Sequence, residues 1–438
     1  MKRRFTDSLV FLLQEGCVRA YRRVRPLGIW IGLWCLLLTG GVFAAEEPER
    51  FLAQLRARGY FDTASNYLEF IATSDLVDDA FKQSIPFEQA VTLKERAART
   101  ADRVEREQLL SEAIGAFQDF ATANPNSMRA ADVRLETANV YRLMARLTMA
   151  GAKRPGADRN ALEQKAAKYY SDAMAEAVKA EVTIQDQRKK VRGELAAVRK
   201  AAGNVKDPNR KVGKQERDLI ALRDKLRDDW IKSEYTQVTT TNLQASVYER
   251  ESAEWKAAVE KATKAYEEMF FKHDVRLVGL ICRVQQMRCL MELGRFDEAL
   301  DCLPDVTDYE ESDSPQLRKV WFDSFAIEIE CRIGKQEYQQ AIQLSRTRLS
   351  KEEQQLPQAK KVLYLRAKAA LAFVGKLGPD KKKEKKKLLA EAKNVLEDLV
   401  ESQSIYQTEA TEMLASLGVA VDQEEEEQGD PQDFDTAF

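Results

Sequence analysis

Few residues in this chain could carry out chemistry. It contains one histidine, His273, among 438 residues. A single histidine cannot form a histidine-based triad or a multi-histidine metal site, although it could act alone as a general base. Because His273 follows Phe270-Phe271-Lys272 at the predicted end of a helix, we interpret it as a helix-terminal or partly buried residue.

The cysteines are the other reactive residues. The six cysteines form no Cys-x-x-Cys pair, which argues against a zinc or redox site. The four beyond the N-terminal segment could form disulfides, or they could be small buried core residues, the interpretation we favour: Cys282, Cys289, Cys302 and Cys331. No phosphate-binding loop, nucleophile elbow or EF-hand pattern occurs. We therefore predict no enzymatic activity, no cofactor and no metal site.

The composition indicates long helices. Only 11 prolines and 19 glycines occur, and 32% of the residues are charged. Alanine, glutamate, lysine, leucine and arginine dominate most segments, and these are the strong helix formers. The sequence thus predicts an all-α protein.

The first 45 residues differ from the rest and predict export. Basic residues precede an apolar run from Leu27 to Val42, and Ala44 and Ala45 mark a plausible cleavage site. Residues 1–45 are therefore either a cleaved signal peptide or an uncleaved anchor, since residues 27–45 can just span a bilayer. The bulk of the chain would then lie outside the cytoplasm, in the periplasm.

The net charge argues against nucleic acid as a partner. The whole chain carries −2, and the basic front contributes +5 over its first 44 residues, which leaves −7 for the remainder. An acidic exported protein has no electrostatic affinity for phosphate backbones.

A short phrase recurs three times between helical patterns. A glycine, an aromatic residue and a small alanine make up each copy, with these members: Gly59, Phe61 and Ala64; Gly294, Phe296 and Ala299; Gly334, Tyr338 and Ala341. The glycine is expected to adopt the left-handed conformation that ends one helix, and the alanine lets the next helix approach closely. The last two copies lie 40 residues apart, so we expect helices longer than those of a 34-residue repeat.

Two further segments stand apart from this pattern. Residues 178–235 have apolar residues at three-, four- and seven-residue steps around a turn at 204–209, which predicts an antiparallel coiled-coil hairpin. Between Arg188 and Arg217 this hairpin carries eleven basic and three acidic residues, so it is either a solvated face or a contact for an anionic surface. Residues 419–438 form an acidic tail, which we expect to be disordered.

The three turns resemble those of tetratricopeptide-repeat proteins of bacterial envelopes. Ala116, Phe120 and Ala123 also match the spacing of the second helix of such a repeat. The resemblance implies a TPR-like α-α superhelix from which the hairpin protrudes, with repeats at 46–177 and 236–418. It also implies protein–protein contact rather than catalysis.

Two functions remain open at this point. The first is a periplasmic scaffold that binds envelope proteins, as peptides or helices, in a groove. The second is a membrane-anchored spacer whose hairpin contacts membrane or another copy. Candidate groove or turn-adjacent positions are Trp230, Trp255, Trp321, Tyr60, Arg295 and Gln336, although a core position is the interpretation we favour for each tryptophan.

Overall fold

A computed structural model describes residues 48–418, except residues 76, 125–126, 203–211, 311 and 403. These residues form helices and no strand, which confirms the all-α prediction. The predicted cleavage site, the turn at 204–209 and the acidic tail lie outside the described residues. The described residues contain sixteen α-helices: α1 Pro48–Ala57, α2 Phe61–Ala72, α3 Asp79–Arg99, α4 Arg103–Ala123, α5 Ala130–Ala152, α6 Arg159–Ala201, α7 Lys214–Gln244, α8 Ala253–Lys272, α9 Leu277–Glu292, α10 Phe296–Asp301, α11 Pro304–Thr307, α12 Pro315–Gly334, α13 Tyr338–Thr347, α14 Lys360–Lys376, α15 Lys382–Glu401 and α16 Gln407–Ser416.

The chain divides into two compact units at Asp78. The first contains α1 and α2, which form a helical hairpin. Phe51 of α1 and Tyr67 of α2 make an edge-to-face contact with ring centroids 4.9 Å apart. Leu52 and Leu68 are fully buried.

In the second unit, helices pack on their neighbours in sequence. Within the run α3–α10 every helix contacts the one that follows it, and the same holds within the run α11–α16. Alternate helices also touch, so that α3, α5 and α7 form one row and α9, α12 and α14 form another. This is the packing expected when successive helical hairpins stack and bury their apolar faces on one another.

Helices α6 and α7 run antiparallel to each other. Arg199 pairs with Glu216 at 2.9 Å near their connection, and Glu181 accepts a hydrogen bond from Trp230 midway along. Tyr170 and Ser246 lie within hydrogen-bond distance, at 3.4 Å, at the far end. The paired segments therefore begin before residue 178 and continue past residue 235. Ile184, Val191 and Leu226 join Ala131 and Leu135 of α5 in one apolar cluster.

The three recurring turns share one backbone geometry. In each, the residue before the new helix has φ near −84° and ψ near 55°: Tyr60 (−84°, 59°), Arg295 (−86°, 61°) and Glu337 (−81°, 49°). Its N–H donates to the carbonyl five residues earlier, and the preceding N–H donates to the carbonyl three residues earlier. These are the two hydrogen bonds of a Schellman motif. Ala64, Ala299 and Ala341 are all fully buried.

The third turn does not use its glycine as the sequence predicts. Gly59 and Gly294 have φ of +80° and +75°, but the left-handed residue of the third turn is Gln336, with φ of +61°. Gly334 is instead the last residue of α12. A Cβ atom at Gly334 would lie 2.3 Å from Cζ of Phe296, so this glycine provides space for the aromatic ring of the preceding turn. The equivalent turns are thus Gly294 and Gln336, 42 residues apart.

Longer helices account for only part of the 42-residue spacing between the turns at Gly294 and Gln336. α12 has 20 residues, whereas α10 has 6 and α11 has 4. Pro304 begins a new helix after the break at Cys302 and Leu303, because proline fits the first turn of a helix but not its interior. The extra residues therefore lie in α12 and in the broken segment that precedes it.

The spacing assigned to Ala116, Phe120 and Ala123 is also wrong. The buried face of α4 contains Leu110, Ala113, Phe117 and Phe120, whereas Ala123 is exposed. In α8 the equivalent face contains Val259, Ala262, Tyr266 and Met269. The two helices thus share a register that differs from the predicted one by three residues.

Candidate functional site

The reactive residues predicted from sequence are buried. Cys282, Cys289, Cys302 and Cys331 are free thiols in the core, as the interpretation we favoured requires. Burial raises the pKa of Cys302 to about 11 and that of the other three to about 12. At neutral pH these thiols stay protonated and are poor nucleophiles.

His273 caps the C-terminal end of α8. It is 5% exposed, and its Nε2 lies 3.1 Å from Glu234 Oε2. Its ring packs edge-on against Trp230, and Lys272, which also pairs with Glu234, covers the same indole at 4.4 Å. Its prediction as a helix-terminal, buried residue is confirmed, and its proximity to Glu234 ties α8 to α7.

The candidate groove tryptophans are mainly structural. Trp255 and Trp321 are 7% and 1% exposed and belong to apolar clusters. Trp230 is half-buried between Arg188, 4.8 Å from its ring centroid, and Lys272. Two cations on one indole hold α6, α7 and α8 together, which leaves little of the ring to bind a partner.

Of the turn-adjacent positions, Tyr60 is 55% exposed and Gln336 is also exposed. Arg295 instead pairs with Glu260 at 2.7 Å and with Glu298, and these carboxylates raise its pKa. The alanines of the turn motif are fully buried and Phe296 lies against Gly334, so these residues contribute to helix packing.

One surface of the second row of helices brings together tyrosines and carboxylates. Tyr364 of α14 and Tyr406, just before α16, stack with centroids 5.0 Å apart and planes 12° apart. Both rings are half-buried. We call their surroundings the acidic tyrosine surface, which consists of Asp323, Glu330, Tyr364, Tyr406, Glu409 and Glu412.

Carboxylates outnumber cations on this surface. Burial, reinforced by the charges of Glu330 and Asp323, raises the pKa of Tyr406 to about 12. Burial and nearby carboxylates also raise the pKa of Tyr364. Arg288 lies 3.4 Å from Asp323 and Lys361 lies 3.3 Å from Glu330, so two cations face four carboxylates. Such a surface favours a cationic ligand with apolar or planar parts that can cover the rings.

No pattern in the sequence predicts this surface. All of α15 separates Tyr364, in α14, from Tyr406, which lies just before α16, and only the packing of α14 against this segment brings the two rings together. The chain has 71 acidic residues, so their number alone does not single out the carboxylates of this surface. No spacing in the sequence relates Tyr364 to Tyr406.

Within the described part of the chain, no three His, Cys, Asp or Glu residues are grouped so that they could hold a metal ion. None of the helices described is both long and apolar enough to cross a membrane. No protein-family model matches the chain, and comparison with curated proteins gives no match.

Proposed function

We propose that this protein is a non-enzymatic scaffold whose stacked helical hairpins form a TPR-like α-α superhelix. The single observation that carries the proposal is the recurrence of one Schellman turn, with one buried alanine, at Gly59, Gly294 and Gln336. Helical hairpins that join through one turn geometry and pack in sequence form a repeat array. Arrays of this kind present extended surfaces for other proteins.

The acidic tyrosine surface is the proposed binding site. Its occupant is a peptide or helix of a partner protein that carries lysine or arginine beside apolar residues. Charge complementarity supports this choice, since four carboxylates surround a half-buried aromatic pair. Cation–π contacts with the tyrosines would add to the ionic attraction, and the cations at Arg288 and Lys361 would shift toward solvent.

The compartment we propose is the periplasm, with partners among envelope proteins. This rests on the sequence of residues 1–45, with Ala44 and Ala45 at the cleavage site. An uncleaved anchor through residues 27–45 is the alternative, and it would leave the same helices outside the cytoplasm.

A second candidate function is a spacer whose α6–α7 coiled coil protrudes and contacts an anionic membrane or another copy. The observation that favours it is a group of exposed cations near the connection between these helices: Lys189, Lys190, Arg192, Lys200, Lys214 and Arg217. Arg199, in contrast, is taken up by the buried Glu216.

Purification of partners from envelope extract separates the two functions. The bait is the exported part, residues 46–438, and two variants test it. One carries Asp323→Asn and Glu330→Gln; the other replaces residues 196–220 with a short Gly-Ser turn, which keeps Ile184, Val191 and Leu226 against α5. A stoichiometric partner lost only in the first variant supports the scaffold. A partner or membrane association lost only in the second supports the spacer and contradicts our choice of site.

A further inference from the structure

An open groove of about 490 Å³ runs beside the N-terminal half of α15. Its lining comes from one face of that helix, at steps of three or four residues, and from the residue that follows α16. We call it the lysine groove and define it by these residues: Lys382, Lys385, Lys386, Leu389, Ala390, Lys393 and Leu417. Four of the seven are lysines and none is a carboxylate, so the groove favours an anionic occupant.

Three of these lysines have no ionic partner. Within the described residues, Lys382, Lys385 and Lys386 form no ion pair, and their side chains are exposed or half-buried. Lys393 pairs with Glu397 of the same helix at 3.5 Å. An exposed pair of this kind contributes little to stability, so Lys393 can also interact with a second carboxylate.

The position of these lysines in the helix is unfavourable. Helix α15 begins with Lys382-Lys383-Glu384-Lys385-Lys386-Lys387, and no side chain caps its first turn. The N-terminal end of a helix carries a partial positive charge, which disfavours cations there and favours anions. Carboxylates that approached this end would therefore interact favourably with the helix dipole as well as with the lysines.

The segment that follows α16 carries the opposite charge. Residues 419–438 contain eight acidic residues and no basic residue, and Glu424–Glu427 are consecutive. Gly418, with φ of +76°, directly follows Leu417 of the groove. The acidic segment therefore starts at the wall of the lysine groove.

The order of residues along this segment suits the groove. Val419-Ala420-Val421 precede the first acidic residue, Asp422, and apolar side chains at this point would cover Leu389 and Leu417. An extended chain spans at most about 3.3–3.6 Å per residue, so Glu424 can lie up to about 20 Å from the end of α16. The groove, from its first lysine to its last, is about 17 Å long. The four glutamates can thus reach its lysines.

We propose that residues 419–438 bind the lysine groove of their own chain, with Glu424–Glu427 against Lys382, Lys385 and Lys386. The tether favours this occupant over a separate acidic partner, because a segment that starts at the groove wall has a high effective concentration there. The contact neutralises cations at the start of α15 and closes the groove to other anions. None of its residues belongs to the acidic tyrosine surface, so the proposal does not rest on the proposed function.

The reactivity of single lysines in the full chain tests this contact. Acetylation by sulfo-N-hydroxysuccinimide acetate, followed by peptide mass spectrometry, gives a rate for each lysine. The variant replaces Glu424–Glu427 with glutamine, which keeps the length of the segment and removes half of its charge. Lys382, Lys385 and Lys386 should react about fivefold more slowly in the parent chain than in the variant, and about 0.5 M sodium chloride should abolish the difference. Lys190 and Lys200, exposed on α6, are the internal control and should react equally in both chains.

Carbodiimide cross-linking of the full chain identifies the occupant. The reagent joins a carboxylate to a lysine amine in direct contact, and we expect cross-links from Glu424–Glu427 to the lysines of the groove. A mixture of isotope-labelled and unlabelled protein separates cross-links within one chain from those between two chains. Cross-links within one chain, together with the slower acetylation, support the proposal.

Three results would overturn it. Cross-links between chains would assign the groove to the acidic segment of a second copy. Cross-links from Glu424–Glu427 to lysines outside the groove would assign the segment to another surface. Equal acetylation rates in the parent chain and the variant would leave the groove to a separate acidic partner.

Discussion

Two parts of the second unit are built by the same packing but differ in chemistry. We call α3–α5, Asp79–Ala152, the N-terminal block, and α9–α16, Leu277–Ser416, the C-terminal block. In both, neighbouring helices pack in sequence and alternate helices touch. The N-terminal block encloses a cavity lined by cations, whereas the C-terminal block presents stacked tyrosines among carboxylates.

The start of α4 also differs from the starts of α10 and α13. In the N-terminal block, Asp102 caps α4 by accepting a hydrogen bond from the Glu105 N–H at 2.7 Å. In the C-terminal block, Arg295 and Glu337 precede α10 and α13 without a side-chain cap, and a left-handed residue closes the turn. The two blocks therefore share sequential helix packing but differ in charge and in turn chemistry.

The largest difference we expect between the blocks is their response to alkali. All four described thiols lie in the C-terminal block, and three have a pKa raised from 9.0 to about 12. A raised folded-state pKa contributes stability that is fully present below about pH 9 and is lost as the pH rises through about 12. Three pKa units correspond to roughly 4 kcal/mol for each thiol.

Circular dichroism from pH 7 to 12, with Trp321 fluorescence as a reporter inside the C-terminal block, measures this loss. The control is Cys282→Ala, which should be less stable at pH 7 but should lose stability less steeply between pH 9 and 12. Parallel curves for this variant and the parent chain would show that the buried thiol does not drive alkaline unfolding.

Alanine substitutions at two helical glycines allow the packing of the two blocks to be compared. Gly334→Ala places a methyl group 2.3 Å from Phe296 Cζ, and overpacking of this kind costs about 1–3 kcal/mol. Gly115→Ala in α4 meets nothing within 4 Å and should stabilise the protein by roughly 0.5–1 kcal/mol, because alanine restricts the unfolded chain.

Urea unfolding of the two variants gives both values. If Gly334→Ala stabilised the chain as Gly115→Ala does, Gly334 would not be needed for the approach of Phe296.

Neutralisation of the acidic tyrosine surface tests whether charge distinguishes the blocks in binding. Asp323→Asn with Glu330→Gln should weaken the binding of a lysine- and leucine-rich amphipathic peptide about tenfold, or about 1.4 kcal/mol, since it removes two of four carboxylates. Fluorescence anisotropy measures the affinity.

The matched control is Glu112→Gln with Asp119→Asn, two exposed positions of α4 that change the net charge by the same amount. An equal loss in both double variants would mean that the peptide senses only net charge, and the acidic tyrosine surface would not be a specific site.

The elements could be predicted where the signal is local. Three residues each predict the turns at Gly59 and Gly294, and both glycines have the left-handed backbone that the prediction requires. Features that depend on several helices could not be predicted. Arg142 lines a cavity only because α3 and α4 close over it, and no spacing within α5 reveals this.

The third turn shows where local reasoning fails. Glycine has two uses, a left-handed backbone and a missing side chain, and sequence does not say which applies. Gly294 is required for its left-handed backbone, whereas Gly334 is required because its missing side chain leaves space for Phe296. Gln336 then takes the left-handed position, although glutamine is not a residue type from which such a turn is predicted.

The smallest expected effects concern the two ways of beginning a helix. Asp102→Ala removes the cap of α4 and should cost about 1 kcal/mol. Gln336→Gly should gain up to about 1 kcal/mol, because glycine adopts the φ of +61° without the strain of a Cβ, although part of this gain is offset by the greater freedom of glycine in the unfolded chain. Opposite signs in urea unfolding would show that the start of α4 depends on a side chain, while the start of α13 depends on backbone conformation alone. A loss in Gln336→Gly would instead mean that the glutamine side chain stabilises the turn, and the third turn would then differ from those at Gly59 and Gly294 in more than its residue type.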